Sequence, residues 1–143
     1  MIVDDRTLRV THHYAQSPER VFDAWLDPAI ARRFLFATPT GEMVRAEIDA
    51  RVGGTFRFTD RRDGRDVDHV GEYRVVDRPR RLVFSFAVPM YSPDHTEVEI
   101  DIAPTPDGGA ALTLTQRNIL PEYTSQSVQG WTMILDGLDR ALG

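Results

Sequence analysis

The stretch VQGWTMILDGLDRAL, residues 128–142, places Val128, Trp131, Leu135, Leu138 and Leu142 on one stripe, with Ile134 and Ala141 beside it. Steps of three and four residues put these side chains on one face of an α-helix. The helical period starts after Pro121, so the spacing predicts a closing helix of about 20 residues. Most of what precedes it alternates with the period of a strand. Leu8, Val10, His12 and Tyr14 share one face of residues 7–14. Val44, Ala46 and Ile48 alternate with Arg45, Glu47 and Asp49, and Phe56 and Phe58 share a face of the next strand. Val67, His69, Gly71, Tyr73 and Val75 follow on one side of a longer strand, then Leu82, Phe84, Phe86 and Val88. Val98, Ile100 and Ile102 oppose Glu97, Glu99 and Asp101, and Leu112, Leu114 and Gln116 complete the series.

Turn chemistry separates these runs. Asp63-Gly64 is a strong hairpin dipeptide because both residues tolerate positive φ. Gly53-Gly54 and Asp107-Gly108-Gly109 supply further turns, Arg78-Pro79 breaks a strand, and Pro89–Asp94 is a loop. Near the N-terminus, Ser17-Pro18-Glu19 has a capping hydroxyl, a proline suited to the first helical position and an acid at the positive end of the dipole. Val21, Phe22 and Trp25 continue that helix, and Asp27-Pro28 repeats the signal for a second short one reaching about Leu35.

The order is strand, two short helices, about six strands and one long helix. Short turns between consecutive strands imply an antiparallel meander, hence an α+β fold with about seven strands. Such a sheet buries one face, and the C-terminal helix is the only long amphipathic element available to cover it. An empty space of ~300 Å³ between them would cost on the order of 7 kcal/mol. A domain is stable by only about 5–15 kcal/mol, so the space must be filled by a ligand, by water or by the phenylalanines.

With 143 residues, 41% hydrophobic and 27% charged, the chain is expected to form a single domain over 1–143, residues 1–6 being a loose tail. The net charge of -5 argues against nucleic-acid binding, which depends on basic residues neutralising phosphates. The absence of cysteine removes disulfides, thiol catalysis and thiolate metal sites. Lysine is also absent, which excludes Schiff-base and P-loop chemistry. No apolar run has the length of a signal peptide or a membrane span, so a cytoplasmic location without membrane association is the expectation.

VFDAWLDP (Val21–Pro28), EIDARVGGTFRF (Glu47–Phe58), GEYRVVDRPRRLVFSF (Gly71–Phe86), EVEIDI (97–102) with its Asp-Gly-Gly turn, and QGWTMILDGLDRAL (Gln129–Leu142) occur in this order. Together they resemble the activator-of-heat-shock-protein-ninety-ATPase homologue family of the START-like (SRPBCC) superfamily, over nearly the whole chain from about residue 7. The resemblance implies a helix-grip fold, a curved sheet around the C-terminal helix with a hydrophobic cavity between them. It does not imply one activity, since the fold hosts carriers, receptors, cyclases and chaperone activators. The eukaryotic chaperone activators carry a further N-terminal domain that these residues do not hold, which weighs against a chaperone partner.

Strand parity places His12, His69, Tyr73, Thr96 and Gln116 on the apolar face, where each needs a hydrogen-bond partner. His69 and Tyr73 are the strongest candidate ligand handles, flanking Gly71, whose missing side chain would leave space. Phe56, Phe58, Phe84, Phe86, Trp131 and Leu135 are candidate pocket lining, and Phe34, Phe36 and Met90 candidate mouth residues, with Tyr91, His95 and Tyr123 weaker ones. No metal site is expected: His12 and His13 point to opposite strand faces, and the acidic run Asp60–Asp68 fits a solvated hairpin better than a calcium loop. No nucleophile elbow or phosphate loop is present, so no catalytic residue and no cofactor is assigned. The expected function is noncatalytic binding of a small hydrophobic or amphipathic molecule. The alternatives are a cyclase- or hydrolase-type enzyme using His69 and Tyr73 as acid–base groups, and a protein-interaction module; a homodimer is left open.

Overall fold

A computed structural model describes residues 2–38 and 40–142. The strands are β1 (Ile2–Asp4), β2 (Thr7–Tyr14), β3 (Glu42–Ile48), β4 (Thr55–Arg62), β5 (Arg65–Asp77), β6 (Arg81–Phe86), β7 (Thr96–Pro104) and β8 (Ala110–Arg117). They form one eight-stranded sheet in the order β1-β2-β8-β7-β6-β5-β4-β3. Every neighbouring pair is antiparallel. The helices are α1 (Pro18–Leu26), α2 (Pro28–Ala31) and the 19-residue α3 (Thr124–Leu142), which follows a short 3-10 turn. This is the START-like helix-grip arrangement.

The local signals act as their chemistry requires. Ser17 Oγ accepts from Arg20 N, and Asp27 Oδ1 accepts from Ala29 N at 2.9 Å, so α1 and α2 each start with a side-chain cap. Asp63 and Gly64 take φ of 52° and 77°, the geometry of a tight hairpin between β4 and β5.

Four expectations change. Residues 2–4 are no loose tail: they form β1, which pairs with β2 and adds an eighth strand. α2 stops at Ala31, and residues 32–36 continue as turns that end at Phe36, whose φ of 60° is incompatible with a right-handed helix. A bulge between Met43 and Arg45 turns Val44 outward, where it is 39% exposed, and lets Met43 pack on the core with Ala46 and Ile48. A second bulge, between Tyr73 and Val75, likewise sends Val76 rather than Val75 to the core.

The covering helix α3 buries Trp131, Leu135, Leu138 and Leu142. Each such side chain contributes about 1.5–3 kcal/mol. Beneath them lie Leu8, Val98, Ile100, Leu112 and Leu114 of the sheet, with Phe22 and Trp25 of α1. Tyr14 ties sheet to helix by donating its hydroxyl to the Leu135 carbonyl at 2.9 Å, and His12 reaches Asp139 at 3.1 Å.

Gly71 is where this packing tolerates no side chain. A Cβ there would lie 1.8 Å from the Ser85 carbonyl oxygen and 2.5 Å from the Phe56 ring. Gly71→Ala is therefore expected to destabilise the fold by about 1–3 kcal/mol, the usual cost of overpacking, seen as a lower urea midpoint with unchanged m-value. An unchanged midpoint would show that β5 and β6 separate there at little cost.

Candidate functional site

The space between sheet and helix is largely filled. At the α1 end only about 10 Å³ stays open, lined by Trp25, Leu35, Phe56, Tyr73, Leu82 and Phe84. The filling is aromatic, and its hub is Phe36. That ring lies parallel to His69 (4.6 Å between centroids), Phe86 (4.8 Å) and Phe56 (6.1 Å), and edge-on to Phe58 and Trp131. Offset-parallel and edge-on ring contacts each add roughly 0.5–1.5 kcal/mol beyond burial. These contacts hold the Phe36 backbone in its left-handed conformation.

A polar network supports the same segment. Arg62 donates through Nε to Asp60 Oδ2 at 2.8 Å and through Nη2 to the Phe36 carbonyl at 3.2 Å. The Thr38 hydroxyl also donates to Asp60 Oδ2, at 2.8 Å. Asp60 is 1% exposed and its Oδ1 has no partner among the described residues, whereas the Arg62 side chain is 31% exposed. The hairpin expected to be solvated thus carries, at its base, an ion pair whose carboxylate is buried and whose guanidinium is partly exposed. Parity held the signal, since Asp60 and Arg62 continue the inward face of Phe56 and Phe58.

His69 completes the network. Its Nδ1 lies 3.3 Å from the Phe58 carbonyl and its Nε2 lies 3.5 Å from Arg62 Nη2, which fits a neutral ring donating from Nδ1 and accepting at Nε2. Burial, reinforced by the Arg62 charge, pushes its pKa down to about 4. Tyr73 is buried too, and its phenol is pushed well above its ordinary value by desolvation and by Asp49. The expected space beside Gly71 does not exist, because the Phe56 ring occupies it. His69 and Tyr73 therefore open onto different spaces.

Two adjoining grooves lie where the ends of β6 and β8 meet the first half of α3. The larger, about 490 Å³, takes in the 87–94 loop, Asn118, Leu120 and Tyr123. The smaller, about 310 Å³, is lined by Phe36, Thr38, Arg62, His69, Trp131, Gly130 and Ile134, among others. Phe86, Val88, Tyr91, Gln116 and Ser127 border both. Gln116 is engaged at both ends of its amide: its Nε2 donates to Thr96 Oγ1 at 2.8 Å, and its Oε1 accepts from Trp131 Nε1 at 2.7 Å. A separate groove of about 820 Å³ mixes Arg45, Glu47, Arg57, Glu72 and Arg74 with Phe56 and His95.

Of the residues singled out from sequence, His69, Phe86, Gln116 and Trp131 come together at the grooves, with Phe36, Tyr91 and Tyr123. Phe34, Phe58 and Leu135 are core residues that line neither groove; Phe34 packs against Trp25 and approaches Gly137. Tyr73 and Phe84 border the nearly filled interior, joined there by Phe56, which also reaches the separate groove. Met90, expected at the mouth, is 43% exposed and lines neither. The sequence reasoning passed over Arg62, Thr38, Ser127, Gly130 and Ile134. Among the described residues, no group of three or more His, Asp or Glu side chains forms a metal-holding cluster.

A model of the family described as "Activator of Hsp90 ATPase homolog 1-like protein" matches residues 15–143. Among solved structures, protein CV1439 from Chromobacterium violaceum superposes with a TM-score of 0.87 at 24% identity, over 97% of this chain and 98% of that one. An AHSA1-like protein from Aeromonas hydrophila gives 0.83 at 27% identity, over 95% and 91% of the two chains. CalU16 from Micromonospora echinospora gives 0.72 at 25% identity, over 96% and 76%. No curated protein matches the chain.

The burial of His69 sets a pH dependence. Its folded pKa of about 4 lies below the ordinary value of 6.5, so the unfolded chain binds the proton first. The contribution of neutral His69 is complete above about 6.5 and is lost progressively as pH falls toward about 4, amounting to about 3 kcal/mol. NMR titration of the ring should find His69 neutral at pH 5.5, and His69→Gln should flatten the stability profile between these limits. A midpoint near 6.5 would contradict the burial argument.

Proposed function

We propose that this chain, which belongs to the Activator of Hsp90 ATPase homolog 1-like protein family, binds a small hydrophobic or amphipathic molecule in the paired grooves beside α3. The observation that carries this is their size and lining. Volumes of about 490 and 310 Å³ fall in the range of small-molecule sites, and the surface that each presents is mostly apolar. Phe86 of β6, Gln116 of β8 and Ser127 of α3 border both grooves, while the 87–94 and 118–120 segments supply much of the larger one's wall, so the site joins strand and helix positions to loops. The location refines the expectation of a central cavity: aromatic rings fill the centre, and the open space lies at one end.

The binding is noncatalytic in this reading. Acid–base chemistry would need two groups facing one reacting atom with pKa values near the working pH. His69 is held far below that range with Nε2 facing Arg62, Tyr73 is pushed above it, and Glu99 is engaged by Arg81 and Arg117.

Gly130 offers a direct test. A Cβ at this position on α3 meets nothing within 4 Å, and the residue lines the smaller groove. Gly130→Phe should fill the groove while favouring the helix by roughly 0.5 kcal/mol, leaving the melting temperature unchanged or raised. Native mass spectrometry of freshly purified protein is expected to show a bound species in the wild type and none in the variant. Absence of any bound species, with no thermal shift across a lipid and metabolite panel, would count against the proposal. Equal occupancy in both proteins would place the ligand outside the smaller groove.

A further inference from the structure

If the smaller groove is the binding site, its chemistry restricts what can occupy it. Phe36, Phe86, Tyr91, Trp131 and neutral His69 give it an aromatic wall, suited to a flat ring system. Among the described residues that line it, Arg62 is the only charged side chain. The other polar groups there are mostly committed: Gln116 at both ends of its amide, His69 Nδ1 at the Phe58 carbonyl, and the Thr38 hydroxyl at Asp60. Arg62 is not fully committed. Its Nε and Nη2 hold Asp60, the Phe36 carbonyl and His69, while Nη1 has no protein partner among the described residues. Asp60 is buried and does not line the groove, so it fixes the guanidinium from behind without presenting an acid to the occupant. Asp94 belongs to the larger groove and not to this one.

We propose that the smaller groove takes a flat aromatic molecule carrying an oxyanion, a carboxylate or sulfonate, with its rings against Phe86 and Trp131 and its oxyanion on Arg62 Nη1. Asp60 is then a positioning residue for Arg62. The inference rests on the groove being the binding site, and it adds the ligand's shape and charge.

Two fluorescent probes separate the two layers. Anilinonaphthalene sulfonate carries the oxyanion; N-phenylnaphthylamine has the same rings without it. The wild type is expected to bind the sulfonate about tenfold more tightly than the neutral probe, the gain of one charge-assisted hydrogen bond. Arg62→Gln should bring that ratio to about one. Because a lone Asp60 would then be buried without its counter-charge, the double variant Asp60→Asn with Arg62→Gln is measured alongside and should show the same collapse. Equal affinity of the two probes in the wild type overturns the oxyanion inference and leaves the groove proposal standing. A preference that survives in both variants, or in Gly130→Phe, also overturns it. Failure of both probes to bind removes the aromatic-ligand inference, whereas the groove proposal is decided separately by the mass spectrometry described above.

Discussion

One helix has to cover one face of an eight-stranded sheet. A helix with its side chains is about 10–12 Å across, whereas eight strands spaced about 4.8 Å apart would span roughly 34 Å if laid flat. That mismatch governs the rest of the fold. Curvature removes part of it, α1 covers some of the remainder, and aromatic side chains fill what neither reaches. Phe36 is the clearest instance. It comes from a segment that is neither helix nor strand, yet its ring sits among Phe56, Phe58, His69, Phe86 and Trp131. The grooves lie where this filling ends.

The element order was legible because it rests on local chemistry. Asp63-Gly64, the caps at Ser17 and Asp27, and the stripe through Trp131, Leu135 and Leu138 each specify their structure within a few residues. The bulges in β3 and β5 were not legible. Neither contains a glycine at the shift, and alternation read by counting continues through a bulge as if it were absent. The site was legible in part for a related reason. Parity identified His69, Phe86 and Gln116, but it cannot tell a residue facing packed core from one facing open space; Phe58 and Tyr73 share that inward face and are enclosed. Arg62 and Asp60 were missed because charged residues beside an Asp-Gly turn are usually solvated, and their burial depends on the distant segment around Phe36.

The charged and aromatic parts of the site depend on each other. Removing the aromatic cluster would leave the left-handed Phe36 backbone without the contacts that sustain it, and removing Arg62 would leave the Asp60 carboxylate buried and unpaired. Such coupling makes single substitutions hard to assign to binding or to folding alone. Comparing matched ligands within each variant is informative for this reason, because a general loss of packing acts on both ligands together.

The bulge in β3 also matters at the sheet's margin. β3 and β1 are the two outer strands, and an outer strand offers unpaired amides and carbonyls to any extended segment that meets it. At the β1 margin that row is only three residues long. At the β3 margin the bulge breaks the even spacing of the row, while Glu42, Arg45 and Glu47 place exposed side chains of both signs along it. A second chain approaching either margin finds few correctly spaced partners, so the open ends of the sheet are poor templates for continued strand addition, the first step toward fibrils.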